Sequence, residues 1–122
     1  MNTIRWTTAA CVLGVAGVLA IAACGSGSGP PAGSPQALYV DLGCAKCHGL
    51  EREGLRSGPP LQNLSDRWDE EGLMAYLRDP ETFVASNPRL TYMNEQFPIA
   101  MPAYANTPDE ELRAVVGLIL GG

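Results

Sequence analysis

Cys44-Ala45-Lys46-Cys47-His48 is the stretch on which the reading of this chain turns. A C-x-x-C-H run is the attachment signature of c-type haem. Two thiols three residues apart can each add across a vinyl group of one porphyrin, and the histidine that follows then supplies an axial ligand to the iron. Two other readings compete. Zinc would take Cys44, Cys47 and His48, but a tetrahedral structural site wants four ligands. His48 is the only histidine in the chain, and a carboxylate fourth ligand is uncommon. A thioredoxin-like redox pair would need a strand-helix-strand setting that the flanking residues lack. The run therefore predicts one covalent haem c with its iron, anchored by thioethers at Cys44 and Cys47 and ligated by His48.

With one histidine, a second histidine ligand within a monomer is excluded. Methionine is the usual alternative, and His/Met ligation raises the reduction potential. Three methionines qualify. Met74 sits in Leu73-Met74-Ala75-Tyr76-Leu77, a helical pattern in which it serves as core or helix surface. Met93 and Met101 both fall in an apparent loop before the last helix. Met101 is followed by Pro102, whose fixed φ stiffens the backbone, and the last helix anchors its loop. Met101 is the expected distal ligand, with Met93 as the fallback. Met93 could instead cover the haem or pack beneath Phe97.

The chain has 122 residues with 8 basic and 13 acidic side chains, room for one small domain and a net charge of −5. An acidic chain argues against nucleic acid as a partner. Its one lysine, Lys46, lies inside the motif. Asp69-Glu70-Glu71 and Asp109-Glu110-Glu111 read as first turns of helices, where carboxylates favour the positive end of the dipole.

Residues 1–23 read as a leader rather than as part of the fold. Arg5 precedes an apolar and small-residue stretch from Ala9 to Ala23, too short for a comfortable membrane span. Ile21-Ala22-Ala23-Cys24 resembles the bacterial lipoprotein signal. That resemblance implies cleavage before Cys24 and lipid on its thiol and new amino group. An uncleaved anchor or an ordinary secretory signal are the alternatives. All three put the domain outside the cytoplasm, the first of them lipid-anchored on the periplasmic side of a bacterial membrane. The 4 cysteines are then accounted for: Cys11 leaves with the leader, Cys24 takes lipid, and Cys44 and Cys47 take haem. Residues 24–34 continue as a Gly/Ser/Pro linker spanning about 17–19 Å by random-coil scaling.

From residue 35 to 122 the pattern is helical. Ser34 is an N-cap with Pro35 behind it. A second helix begins near Asp69 and ends at Pro80, with Leu73, Tyr76 and Leu77 on one face. A third follows the capping box Thr107-Pro108-Asp109-Glu110, with Leu112, Val115, Val116 and Ile119 at helical spacing, and ends at Gly121-Gly122. Nothing alternates like a strand, so the fold class is all-α. Residues 51–60 and 81–102 read as loops. So few helices bury little apolar area, and a covalent haem would serve as a staple.

These residues, in this order, resemble small bacterial class I cytochromes c with one haem. The resemblance covers about residues 35–120. It rests on Leu38-Tyr39, Gly43-Cys44-Ala45-Lys46-Cys47-His48-Gly49, Gly58-Pro59-Pro60-Leu61 with Leu64 and Arg67, Leu73-Met74-Ala75-Tyr76-Leu77-Arg78-Asp79-Pro80, and Met101-Pro102-Ala103-Tyr104 before the last helix. It implies a cytochrome c-like fold of three to five short helices wrapped around one haem c. It implies that the Pro59 carbonyl accepts the proton on the non-ligating nitrogen of His48, fixing the ring. Leu61 and Leu64 would line the haem. Arg67 would neutralise a propionate or stay a solvated loop residue. Tyr76 would approach the methionine sulfur or act as ordinary core, and Trp68 offers an indole N–H to a propionate or core packing. The chain departs from the pattern in the 20 residues between Pro80 and Met101, a longer and less glycine-rich stretch than in many relatives.

The expected function is that of an electron carrier rather than an enzyme. It would be a monomer tethered to the bilayer through Cys24, serving redox proteins of a respiratory chain or an exported oxidoreductase. The haem edge would lie among Ala45, Lys46, Ile99, Ala100 and Ala103. One alternative is a haem subunit of a dehydrogenase or sulfur-oxidising complex, with the long stretch after Pro80 as an assembly surface. Another is a haem sensor or peroxidase with an open sixth position.

Overall fold

The computed structural model describes residues 29–122. The leader, Cys24 and the first part of the linker lie outside the described residues. Among the described residues there are six α-helices, one 3-10 turn and no strand. The helices are α1 (Pro35–Asp41), α2 (Ala45–His48), α3 (Glu70–Arg78), α4 (Pro80–Ser86), α5 (Pro88–Gln96) and α6 (Asp109–Leu120), with the 3-10 turn at Leu64–Asp66 before α3. The all-α class holds, with one helix more than the three to five expected. No helix among the described residues is long and apolar enough to cross a membrane.

The first helix is set by its ends. The Ser34 hydroxyl accepts from the Ala37 N–H at 3.2 Å, and Pro35 fills the first helical position. At the other end Gly43 takes φ +83°, a left-handed conformation that side chains resist. The Gly43 N–H bonds to the Val40 carbonyl at 2.9 Å and the Cys44 N–H to the Tyr39 carbonyl at 3.1 Å. This paired 5→2 and 6→1 closure is a Schellman motif. It turns the chain so that α2 starts at once, with Cys44 fixed to the end of α1.

The core forms where α1 and α3 pack on α6. α6 contributes Leu112, Val115, Val116 and Ile119, all buried. They meet Tyr39 from α1 and Leu73, Met74 and Leu77 from α3. Met74 is thus core, while Tyr76 is half-buried on another side of α3. Burying an aliphatic side chain of this kind is worth roughly 1.5–3 kcal/mol. Arg113 on α6 also pairs with Glu70 on α3 at the surface.

Two expectations need correction. The capping box at Thr107 does not form: Pro108 holds the cap position, with extended backbone and no side-chain bond. The Thr107 carbonyl is instead engaged by the Arg78 guanidinium at 2.6 Å, so tertiary contact overrides the local cap. The acidic triplet still opens the helix as its first turn. The second correction is larger. Most of residues 81–102 is not a loop but the helical hairpin α4–α5. Asp79 closes α3 and caps α4, accepting from the Thr82 N–H at 3.2 Å. Asn87 caps α5, accepting from the Arg89 and Leu90 N–H groups. Each cap precedes a proline at the first helical position, a signal present in Asp79-Pro80 and Asn87-Pro88. The hairpin joins the body through α3 and α4, and α5 packs on no other helix.

Because the Asp79 carboxylate caps α4, Asp79→Ala should cost about 1 kcal/mol of stability. On a domain near 100 residues that is a fall in Tm of roughly 4–8 °C, measurable by thermal circular dichroism. An unchanged Tm would show that the start of α4 does not depend on this carboxylate.

Candidate functional site

The motif forms one helical turn. Cys44 precedes α2, and its carbonyl accepts from the His48 N–H at 2.9 Å and the Cys47 N–H at 3.2 Å. The turn is held from beneath by the buried Tyr39 hydroxyl, which donates to the Gly49 carbonyl at 2.9 Å. Burial pushes the Tyr39 phenol up to about 12, so it remains a donor throughout the neutral range.

Residues 49–61 then fold back over the motif. Leu55 and Gly58 exchange backbone bonds at 2.9 and 3.2 Å, and the Leu61 N–H reaches the Arg52 carbonyl at 2.9 Å. The Ser57 hydroxyl donates to the Lys46 carbonyl at 3.3 Å. Gly58 lies so close to the motif that a Cβ there would stand 2.8 Å from the Cys47 carbonyl oxygen. The absence of a side chain at residue 58 is what lets Pro59 reach His48. The His48 Nδ1–H donates to the Pro59 carbonyl at 2.7 Å.

That bond decides the state of the ring. A carbonyl only accepts, so Nδ1 carries the proton and Nε2 keeps its lone pair. Burial pulls the imidazole pKa down, with the Pro59 bond acting against it. The downward shift describes a neutral ring, and the Pro59 bond puts its one proton on Nδ1, which leaves Nε2 free, the form that ligates a metal.

A cavity of about 550 Å³ opens over this turn, within the roughly 300–1,000 Å³ of small-molecule and cofactor pockets. Its wall brings together Cys44, Cys47, His48, Pro59, Leu61 and Leu64 with Arg67, Tyr76, Met93 and Met101. Met74, Ala45, Lys46 and Ala103, also singled out from the sequence, are not on this surface. Burial raises the Cys44 thiol, against the pull of the nearby Tyr104 hydroxyl. Arg67 is exposed and has no ion-pair partner among the described residues. Tyr76 stacks in a cluster with Trp68 at 5.3 Å and Phe83 at 6.0 Å between ring centroids, and burial raises its phenol. Trp68 also meets Phe83 at 6.4 Å, so both lie in an aromatic wall between α3 and α4.

The two candidate sulfur ligands differ in setting. Met93 is on α5, not in a loop. Met101 lies in the segment between α5 and α6 and packs against the central core. It also lines a small apolar recess with Cys44, His48, Leu73 and Leu112. Sequence reasoning missed the rest of the α5 wall, where Leu90, Met93 and Phe97 follow at helical spacing and Arg89 adds a second guanidinium. The Asn87-Pro88 cap would have revealed it.

The donor set suits haem c. Two thiols and one neutral imidazole from a single turn share a wall with a thioether from a distant segment, around an apolar space. Among the described residues no three or more His, Cys, Asp or Glu side chains converge as a zinc site would require. When bound, haem c supplies an iron that takes up and returns one electron. Cys44 and Cys47 would hold it covalently, and His48 would ligate it through Nε2.

No curated protein and no solved structure matches the chain. A family model described as Cytochrome c matches residues 35–121, the full span from the first residue of α1 to the glycine that ends α6. The chain therefore belongs to the cytochrome c family, holds haem c, and works by haem-based electron transfer.

Proposed function

We propose that this chain is a one-haem electron carrier of the small bacterial class I type. It is tethered by lipid on Cys24 to the periplasmic side of the membrane. It exchanges single electrons with redox proteins of a respiratory chain or with an exported oxidoreductase. The observation that carries this reading is the shared wall of one cavity, on which Cys44, Cys47 and His48 stand together with Met101. His48 and Met101 are the axial pair. Pro59 holds the proximal ring, Leu61 and Leu64 exclude water, and Arg67 and Arg89 are available to the haem carboxylates. Tyr76 closes the wall beside Trp68. Both nitrogens of His48 are committed, one to Pro59 and one to iron, so the one histidine of the chain is not free to act as a general base. The tether rests on Ile21-Ala22-Ala23-Cys24.

A second reading, a haem subunit fixed in a dehydrogenase or sulfur-oxidising complex, draws on the α4–α5 hairpin. Tyr92 on α5 is 61% exposed and Ile99 just beyond it 57%, apolar surface of the kind an assembly contact would cover. A large partner that stays bound through high salt would favour it over the free carrier.

Replacing both Cys44 and Cys47 with Ala should abolish haem that survives denaturation, read on a haem-stained denaturing gel. Haem retained by that double variant would overturn the attachment. In the oxidised protein, Met101→Ala should remove the near-infrared sulfur-to-iron band while Met93→Ala keeps it. The opposite pattern would transfer the ligand to Met93. Rapid binding of carbon monoxide to the reduced native protein would point to an open sixth site and to a sensor or peroxidase. Finally, Cys24→Ala should move the protein from the membrane fraction to the soluble fraction and end its labelling by a fatty-acid analogue. Continued membrane retention without label would favour an uncleaved anchor.

A further inference from the structure

The segment from Phe97 to Pro108 carries Met101 and has little of its own to hold it. Among the described residues, the backbone N–H groups of 97–103 make no backbone hydrogen bond. Pro98, Ile99 and Ala100 are exposed. Anchoring begins only at Tyr104, three residues past the methionine. Its N–H donates to the Leu77 carbonyl at 2.8 Å, and its hydroxyl donates to the Leu42 carbonyl at 3.2 Å. The remaining grip comes from one side chain. Arg78, the last residue of α3, directs Nη1 at the carbonyls of Tyr104, Ala105 and Thr107, at 2.6, 3.0 and 2.6 Å. Its Nη2 pairs with Asp109, the first residue of α6. The guanidinium head thus bonds four residues within six positions of chain.

We propose that Arg78 is a positioning residue for the distal iron ligand. It rests on the reading of Met101 as that ligand. The chemistry is that of a planar fork with five N–H donors. The three carbonyls converge on it from an irregular segment that offers no helical or strand partner; the Tyr104 carbonyl has one other partner, the Thr107 N–H at 3.3 Å, and the part-buried Thr107 carbonyl would otherwise lack its bond. The guanidinium ties the end of α3 to the start of α6 and so fixes where the intervening chain leaves the body. Met101 is then held against the core rather than free to swing out with the exposed Ile99 and Ala100. A lysine at this position could offer three donors from a point charge but not the fork, so it would hold the segment less well.

The test uses the full-length holoprotein. Arg78→Gln should retain covalent haem, because neither thioether is touched. The near-infrared band should weaken, and the reduction potential should fall. Carbon monoxide should bind the reduced form about tenfold faster or more, the change expected from losing a charge-assisted hydrogen bond. Arg78→Lys should lie between Arg78→Gln and wild type. Amide exchange should rise at Tyr104 and Thr107, whose N–H groups are bonded, while residues 112–119 of α6 stay protected. If Met101→Ala removes the band but Arg78→Gln leaves band and carbon monoxide rate at wild-type values, the positioning role is wrong and the ligand assignment stands. If Met101→Ala leaves the band intact, the ligand assignment itself fails and the proposal falls with it. Should Arg78→Gln not fold, Arg78→Lys is judged by the same two readings, and unchanged values overturn the role.

Discussion

The 2.7 Å bond from His48 Nδ1 to the Pro59 carbonyl is the contact on which the site depends. It does two things together. It orients a buried ring that has no other way to choose between its nitrogens, and it pins the loop of residues 49–61 against the turn bearing Cys44 and Cys47. Both partners must be pre-placed for it to form. The Schellman closure at Gly43 places the histidine by starting α2 directly from α1. Gly58 places the carbonyl by letting backbone approach backbone where a methyl group would collide. The bond is the meeting point of two local turns, each made possible by a glycine for a different reason.

Around that point the molecule is a small core with a large hollow. Fully buried Tyr39 of α1 and Leu112, Val115 and Val116 of α6 pack with Leu73, Met74 and Leu77 of α3. The hollow is lined by what the core leaves over: Leu61 and Leu64 from the loop and the 3-10 turn, Trp68 and Tyr76, and the face of α5. A covalently held porphyrin fills such a space with apolar contact that the chain alone does not supply, which is how a domain of this size meets the stability problem of small folds. The α4–α5 hairpin is the peripheral part. It is joined to the body through α3 and α4, carries Met93, and leaves Tyr92 in solvent.

Met101 is held on a different principle from His48. His48 is held by helix and loop backbone close to it in sequence. Met101 is held by its packing on the core and by side-chain and backbone bonds that begin at Tyr104 and lead to α1 and α3. His48 and Met101 thus reach the same cavity from two different kinds of support.

Much of this was legible in the chain before any fold was known. The cofactor follows from Cys44, Cys47 and His48 because thioether chemistry needs that spacing. The α1, α3 and α6 helices follow from Ser34-Pro35, from Asp69 and from the i, i+3, i+4, i+7 pattern ending at Ile119, all of them local properties. The Asp79-Pro80 and Asn87-Pro88 caps were equally local, but the segment they begin has weak apolar periodicity, so the two helices read as loop. What the tertiary structure alone decided is everything that depends on distant residues meeting. It set Met101 rather than the helical Met93 against the core. It moved the start of α6 past the Thr107 cap because Arg78, 29 residues earlier, takes the Thr107 carbonyl. It also drew Arg67, Arg89 and the aromatic wall onto the surface that faces the motif. Local pattern reports the hydrogen bonds and rotamers a segment prefers by itself; it carries no information on which carbonyl a guanidinium from another helix will reach.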